Sequence, residues 1–170
     1  MFQESLKQVS NEYVTDEMKK QYLAESNFLI AYYHFLSMRS YGPTMIIRSV
    51  IDLETPISGF PERSSIDEVV AFINEKLDEA MSEGGLPTTW SGKDYGRATR
   101  LAALALKSRV YLYAASPLYN GNTEMYADFR SPLDGRQLIA QEKSQAKWEI
   151  SATQTKYAID EVEKAKFHLY

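Results

Sequence analysis

The run from Leu101 to Ala115 constrains the fold of this chain more than any other segment. Ala, Leu, Val and Tyr fill nearly every position, interrupted only by Lys107, Ser108 and Arg109. Such a run reads as a helix, and a helix with almost no polar face has to be covered on several sides. Ala102, Ala103, Ala105, Ala114 and Ala115 carry so little bulk that neighbouring helices can approach closely. Pro117 stops the helix because it lacks an amide donor, and Asn120-Gly121-Asn122 supplies turn chemistry beyond it.

Three more helices can be placed around this one. Asp16 and Glu17 put negative charge where a helix N-terminus favours it, and the helix they open extends over about 16–41. At about 1.5 Å per residue it is roughly 37 Å long. Gly42, in the αL conformation, and Pro43 are expected to end it. Ser65-Ile66-Asp67-Glu68 is a capping-box pattern that opens a helix over about 65–82. There Ile66, Val69, Val70, Ile73, Leu77, Ala80 and Met81 fall at helical spacing, which leaves Asp67, Glu75, Lys76 and Asp78 for solvent. Gly84-Gly85 closes that helix.

The apolar run itself is expected to be helical over about 97–115. A fourth helix, over about 145–166, puts Trp148, Ala152, Thr155, Ile159 and Val162 on one face and takes Ser144 as its cap. No stretch sustains period-two alternation. The expectation is an all-α fold with about four main helices, long loops and little or no sheet. The connection from Ser116 to Lys143 is long for a structural link, and loops of that length are commonly functional.

Two motifs extend this reading by resemblance. Gly96-Arg97-Ala98-Thr99 leads into the Ala-Leu-rich helix, which ends in Ala115-Ser116-Pro117-Leu118-Tyr119-Asn120. Glu25-Ser26-Asn27-Phe28-Leu29-Ile30-Ala31-Tyr32-Tyr33-His34-Phe35 is followed by Tyr41-Gly42-Pro43. A weaker third match is Trp148-Glu149-Ile150-Ser151-Ala152, with Phe167-His168-Leu169-Tyr170 beyond it. In wording and order these segments resemble the SusD/RagB family, surface glycan-capture lipoproteins of Bacteroidetes. The chain departs from the family's pattern at Ser26, Asn27 and Ile30, where two arginines are missing.

The resemblance implies tetratricopeptide-like stacked helices, with residues 1–170 forming a single, partial SusD-like helical domain. It also implies a non-catalytic, cofactor-free protein at the outer-membrane surface. Such a protein captures oligosaccharide and partners a SusC-like TonB-dependent transporter. Membrane association in the family runs through a lipid on an N-terminal cysteine. The chain has no cysteine, so that anchor is expected to lie outside it. The family's greater length likewise implies an internal fragment, with an apolar patch near Ile159, Val162 and Phe167 left bare.

Composition closes off other classes. A net charge of −4 and a pI near 5.3 give no basic footprint for nucleic acid. No apolar run is long enough to span a bilayer, and Met1 opens no signal-peptide pattern. The lack of cysteine excludes disulfides and thiolate metal sites.

The sequence offers little catalytic chemistry. His34 and His168 are the only histidines, and His34 sits among Tyr32, Tyr33 and Phe35 as a packed or hydrogen-bonded ring. Ser144-Gln145-Ala146-Lys147 has the Ser-x-x-Lys spacing of penicillin-recognising enzymes, without their other two motifs. The acidic pairs Glu161/Glu163 and Asp78/Glu79 belong to solvated helix faces. Aromatic residues are more plentiful, with twelve tyrosines and two tryptophans. Most, Trp148 included, fall in helices as packing. Trp90 is the candidate ligand-binding residue, because Thr88-Thr89-Trp90-Ser91-Gly92 is a polar loop with no helical stripe for an indole to join. A tryptophan plugging its own bundle is the alternative role. At the level of the whole chain, a helical-repeat adaptor that binds protein or peptide in a groove is the second function class.

Overall fold

A computed structural model describes residues 2–9 and 12–167. A short helix, α1 (Phe2–Gln8), precedes the long α2 (Asp16–Tyr41). The Thr15 hydroxyl accepts the Met18 amide at 3.2 Å and caps α2. Gly42 ends it at φ +71°, ψ −133°, a positive-φ conformation that differs from the αL cap expected there. Helix α3 (Ile66–Ala80) opens with the complete capping box. Ser65 Oγ accepts the Glu68 amide, and Glu68 Oε2 accepts the Ser65 amide at 2.7 Å. It closes at Met81, ahead of Gly84-Gly85.

Helix α4 (Arg100–Ala115) starts at Arg100 rather than near 97, because Thr99 is its N-cap and accepts the Ala102 amide at 3.1 Å. Arg97 and Ala98 therefore belong to the preceding loop. A single turn, α5 (Thr123–Tyr126), and α6 (Gln145–Lys164) follow. Neither α1 nor α5 was anticipated, since each is too short to show a periodic pattern. Among the described residues there is no strand; three isolated bridges join Met45 to Arg63, Asn120 to Ala140 and Arg130 to Gln137.

The helices stack in chain order: α2 on α3, α3 on α4 and α4 on α6. The apolar helix is thus flanked on two sides, as its composition demands. Ala31, Phe35 and Met38 of α2, Val69, Ile73 and Leu77 of α3, and Ala103, Leu106 and Val110 of α4 form the core. Phe72 is buried with them, and Leu104 is 3% exposed. Each fully buried Leu, Ile or Phe contributes roughly 1.5–3 kcal/mol over its exposed state.

The long connection from Ser116 to Lys143 is part of this core. Tyr119, Leu138 and Ile139 are buried. The Tyr119 hydroxyl donates to the Met38 carbonyl at 3.1 Å, and the Ile66 amide donates to the Leu138 carbonyl at 3.0 Å. Asn120 ties the ends of the connection together. Its Nδ2 donates to the Ala115 and Ser144 carbonyls at 3.2 and 2.9 Å, while its Oδ1 accepts the Ser144 amide at 2.7 Å. Gly121 has φ +82°, and a Cβ there would lie 2.6 Å from the Lys143 backbone nitrogen. Ser144 occupies the N-cap of α6, but its side chain makes no capping bond; its backbone is held by Asn120 instead.

The buried face of α6 also differs from the expected one. Ser151 and Ala158 are its buried residues, with Trp148, Thr155 and Val162 half-buried beside them. Ala152 and Ile159 point to solvent. The expected face thus holds at Trp148, Thr155 and Val162 and misses by one residue at Ala152 and Ile159, where Ser151 and Ala158 are buried instead.

Candidate functional site

The loop between α3 and α4 begins with a tight reversal. A Cβ on Gly85 would lie 2.5 Å from the Ala80 carbonyl oxygen, so only glycine fits that approach. Leu86 is buried, and its amide donates to the same carbonyl at 2.9 Å. At the far end, the Arg100 amide donates to the Pro87 carbonyl at 2.8 Å, and the Arg100 guanidinium donates to the Met81 carbonyl at 2.9 Å. The loop is therefore pinned at its base, and residues 88–98 project as a closed excursion.

Trp90 sits half-buried within it. The indole Nε1–H donates to the Ala98 carbonyl at 2.7 Å. The Arg97 guanidinium lies 4.1 Å from the Trp90 ring centroid, a stacking distance for a cation over an aromatic face, and 5.5 Å from that of Tyr22. Arg97 is itself clamped. Its Nε donates to Glu25 Oε1 at 2.8 Å and its Nη1 to Asp94 Oδ1 at 2.9 Å. Those bonds, with Glu25 foremost, raise the guanidinium's already high pKa further. Arg97 Nη2 is buried and makes no hydrogen bond among the described residues.

Trp90 thus has its N–H and one ring face committed to the protein, while the indole also borders an open cleft. Thr88, Thr89, Tyr95, Leu101, Val162 and Phe167 share that cleft, which has a volume of about 430 Å³. Small-molecule pockets commonly span about 300–1,000 Å³. Tyr95 is 85% exposed. It stands between the short 3₁₀ turn Gly92–Asp94 and Gly96, whose φ of +99° turns the chain back towards α4. Sequence reading did not single out Tyr95, although its place between two glycines in the Trp90 loop was the available signal.

A second concavity, about 630 Å³, runs between α4 and α6. Ala105, Ser108 and Ala158 line it together with Leu112, Ile159 and Phe167. Leu112, Ile159 and Phe167 are each about half exposed. The bare apolar surface expected near Ile159, Val162 and Phe167 is therefore present. Val162 and Phe167 line both hollows.

The remaining sequence candidates fall elsewhere. His34 donates from Nδ1 to the Ile30 carbonyl at 2.7 Å if that nitrogen carries the proton, and Nε2 then accepts the Ile47 amide at 3.2 Å. Its ring meets Phe72 edge-on at 4.8 Å, so it is a packed, bonded histidine. Lys147 pairs with Asp67, Asp78 with Lys107, Glu79 with Lys76 and Glu161 with Lys164, so none of these faces a shared site. Tyr119 and Asn120 are buried and shape the turn after α4. His168 lies outside the described residues. Among the described residues no three His, Asp or Glu side chains gather as a metal site, and no helix is long and apolar enough to cross a membrane.

Comparison with known proteins gives this architecture a family. The solved structure of BT4246 matches at a TM-score of 0.88 and 34% identity, over 99% of this chain and 29% of its own length. A SusD-like protein from Bacteroides fragilis, BF3747, matches at 0.53 and 27% identity, over 75% of this chain and 27% of its own. Surface glycan-binding protein A from Bacteroides fluxus matches at 0.52 and 29% identity, over 78% and 28% respectively. The chain spans less than a third of each of these proteins. No protein of curated function matches it. A family model described as SusD-like, starch-binding and associating with the outer membrane covers residues 1–112. With that match and the all-helical stack, this chain belongs to the SusD-like family.

Proposed function

We propose that the chain is part of a non-catalytic receptor that captures oligosaccharide at the outer-membrane surface and works beside a SusC-like TonB-dependent transporter. The family description supports the setting, since it names starch binding and the outer membrane. Attachment to the membrane through an N-terminal lipid is part of the same proposal.

The observation that carries the reading is the cleft between Trp90 and Tyr95. The C–H face of a pyranose ring packs on an aromatic ring, and the exposed Thr88 and Thr89 bring hydroxyls to its rim. Nothing in this arrangement moves a proton or attacks a bond; it offers contact area. The test is calorimetry on the intact protein with maltohexaose, cellohexaose and mannohexaose. Trp90→Ala and Tyr95→Ala should each weaken binding about tenfold, roughly 1.4 kcal/mol, at unchanged helix content. Unchanged affinity in both variants would remove the cleft from the site.

A protein- or peptide-binding adaptor is the second reading, and the apolar trough between α4 and α6 favours it. It takes precedence if the intact protein binds no glycan and binds an amphipathic helical peptide through Leu112 and Ile159.

A further inference from the structure

Arg97 lines the cleft beside Trp90. An arginine in such a place can recruit acidic sugars, because a guanidinium meets carboxylate or sulfate with parallel N–H donors. Here those donors are withheld. Nε is bonded to Glu25 and Nη1 to Asp94, and Nη2 is buried. One face of the guanidinium is turned to the Trp90 ring. Two carboxylates against one guanidinium leave this cluster with an excess of one negative charge.

We propose that Glu25 and Asp94 are specificity-determining residues: by holding Arg97 they withdraw the cleft's cation and restrict the site to uncharged sugars. The inference rests on the glycan reading of the cleft. What it adds is the rejection of uronic and sulfated sugars, and the two residues, neither of them a cleft aromatic, that enforce it. Burial strengthens the effect, because the paired side chains of Arg97 and Glu25 are only 26% and 21% exposed and are weakly screened by salt. An acidic sugar entering the cleft meets the excess negative charge and finds no parallel pair of guanidinium N–H donors free to bind it.

The test compares chains of equal length on the intact protein. Maltohexaose, cellohexaose and mannohexaose form the neutral set; hexagalacturonate and a chondroitin sulfate hexasaccharide form the acidic set. The wild type should prefer its best neutral ligand over either acidic one by tenfold or more. Asp94→Asn and Glu25→Gln keep side chains of the same shape while removing one negative charge each. Both should raise acidic binding and narrow that preference at least fivefold.

Acidic binding by the wild type that equals or exceeds neutral binding, through Arg97 or the adjacent Lys93, overturns the proposal and leaves the glycan reading intact. So does a preference unchanged in both folded variants. Binding of neither set overturns the glycan reading itself, and this inference falls with it. If one variant fails to fold, the other decides.

Discussion

Glu25 and Arg97 are 72 positions apart in sequence and 2.8 Å apart in the fold. Each belongs to one of the two motifs that resemble the SusD/RagB family, so the bond joins the aromatic helix α2 to the threshold of α4. Through Arg97 the same bond reaches the face of Trp90. A long-range scaffold contact and the candidate site therefore share one side chain.

Glu25→Ala should destabilise the protein by about 1–3 kcal/mol, the range for a hydrogen bond to a charged group left partly buried. Urea unfolding measures it. In a Trp148→Phe background Trp90 is the sole tryptophan, and its emission should shift to longer wavelength as Arg97 loosens. An unshifted spectrum would uncouple Arg97 from the indole.

Leu104→Ala should cost about 2–5 kcal/mol, as expected for truncating a buried leucine. Leu112→Ala, on the same helix but half exposed, should cost less than about 1 kcal/mol. Equal losses would mean that α4 is covered as fully on its Leu112 side as on its Leu104 side.

Asn120→Ala removes a side chain that satisfies the Ala115 carbonyl and both backbone groups of Ser144. The expected loss is about 2–3 kcal/mol, because buried polar groups are left without partners. Hydrogen exchange at the Ser144 amide should rise locally before the α3 amides are affected. Uniform acceleration across the molecule would argue against a local clasp.

The helices were legible because their signals are local. Asp16-Glu17 and the Ser65-to-Glu68 capping box mark two helix starts, and the Val69–Ile73–Leu77 spacing shows one apolar face directly. The beginning of α4 was misplaced because Arg97-Ala98 is a good helical sequence; the capping bond of Thr99 decided against it. The contact face of α6 was drawn one residue off at Ala152 and Ile159, because polar Ser151 and small Ala158 carry little apolar signal. Trp90 could be singled out from its polar surroundings. The Glu25–Arg97 pair behind it could not, since pairing across 72 positions leaves no periodic trace, whereas Tyr95 was marked by its place between Gly92 and Gly96.

The Glu68 carboxyl is held below its ordinary range, first by the Ser65 amide, then by the Ser65 hydroxyl and by Arg136. Its folded pKa is thus lower than its unfolded one. The stability it contributes is present above the unfolded value of about 4.5 and is lost as pH falls below it. Glu68→Gln should flatten the fall in urea midpoint between about pH 5 and pH 3. A fall as steep as that of the wild type would assign the acid sensitivity to other carboxylates.

The bonds from Tyr119 to Met38 and from Ile66 to Leu138 also set an order of events during synthesis. Synthesis makes α2, α3 and α4 before Leu138 and Ile139, and the chain emerges in that order. Until then the first amide of α3 has only water to bond, and the apolar space that Ile139 fills stays open. The helical hairpins emerge as an unlatched assembly, and their late strap arrives after the elements it fastens. The emerging chain consequently remains accessible to chaperones until residue 139 is free, and only then can the core close.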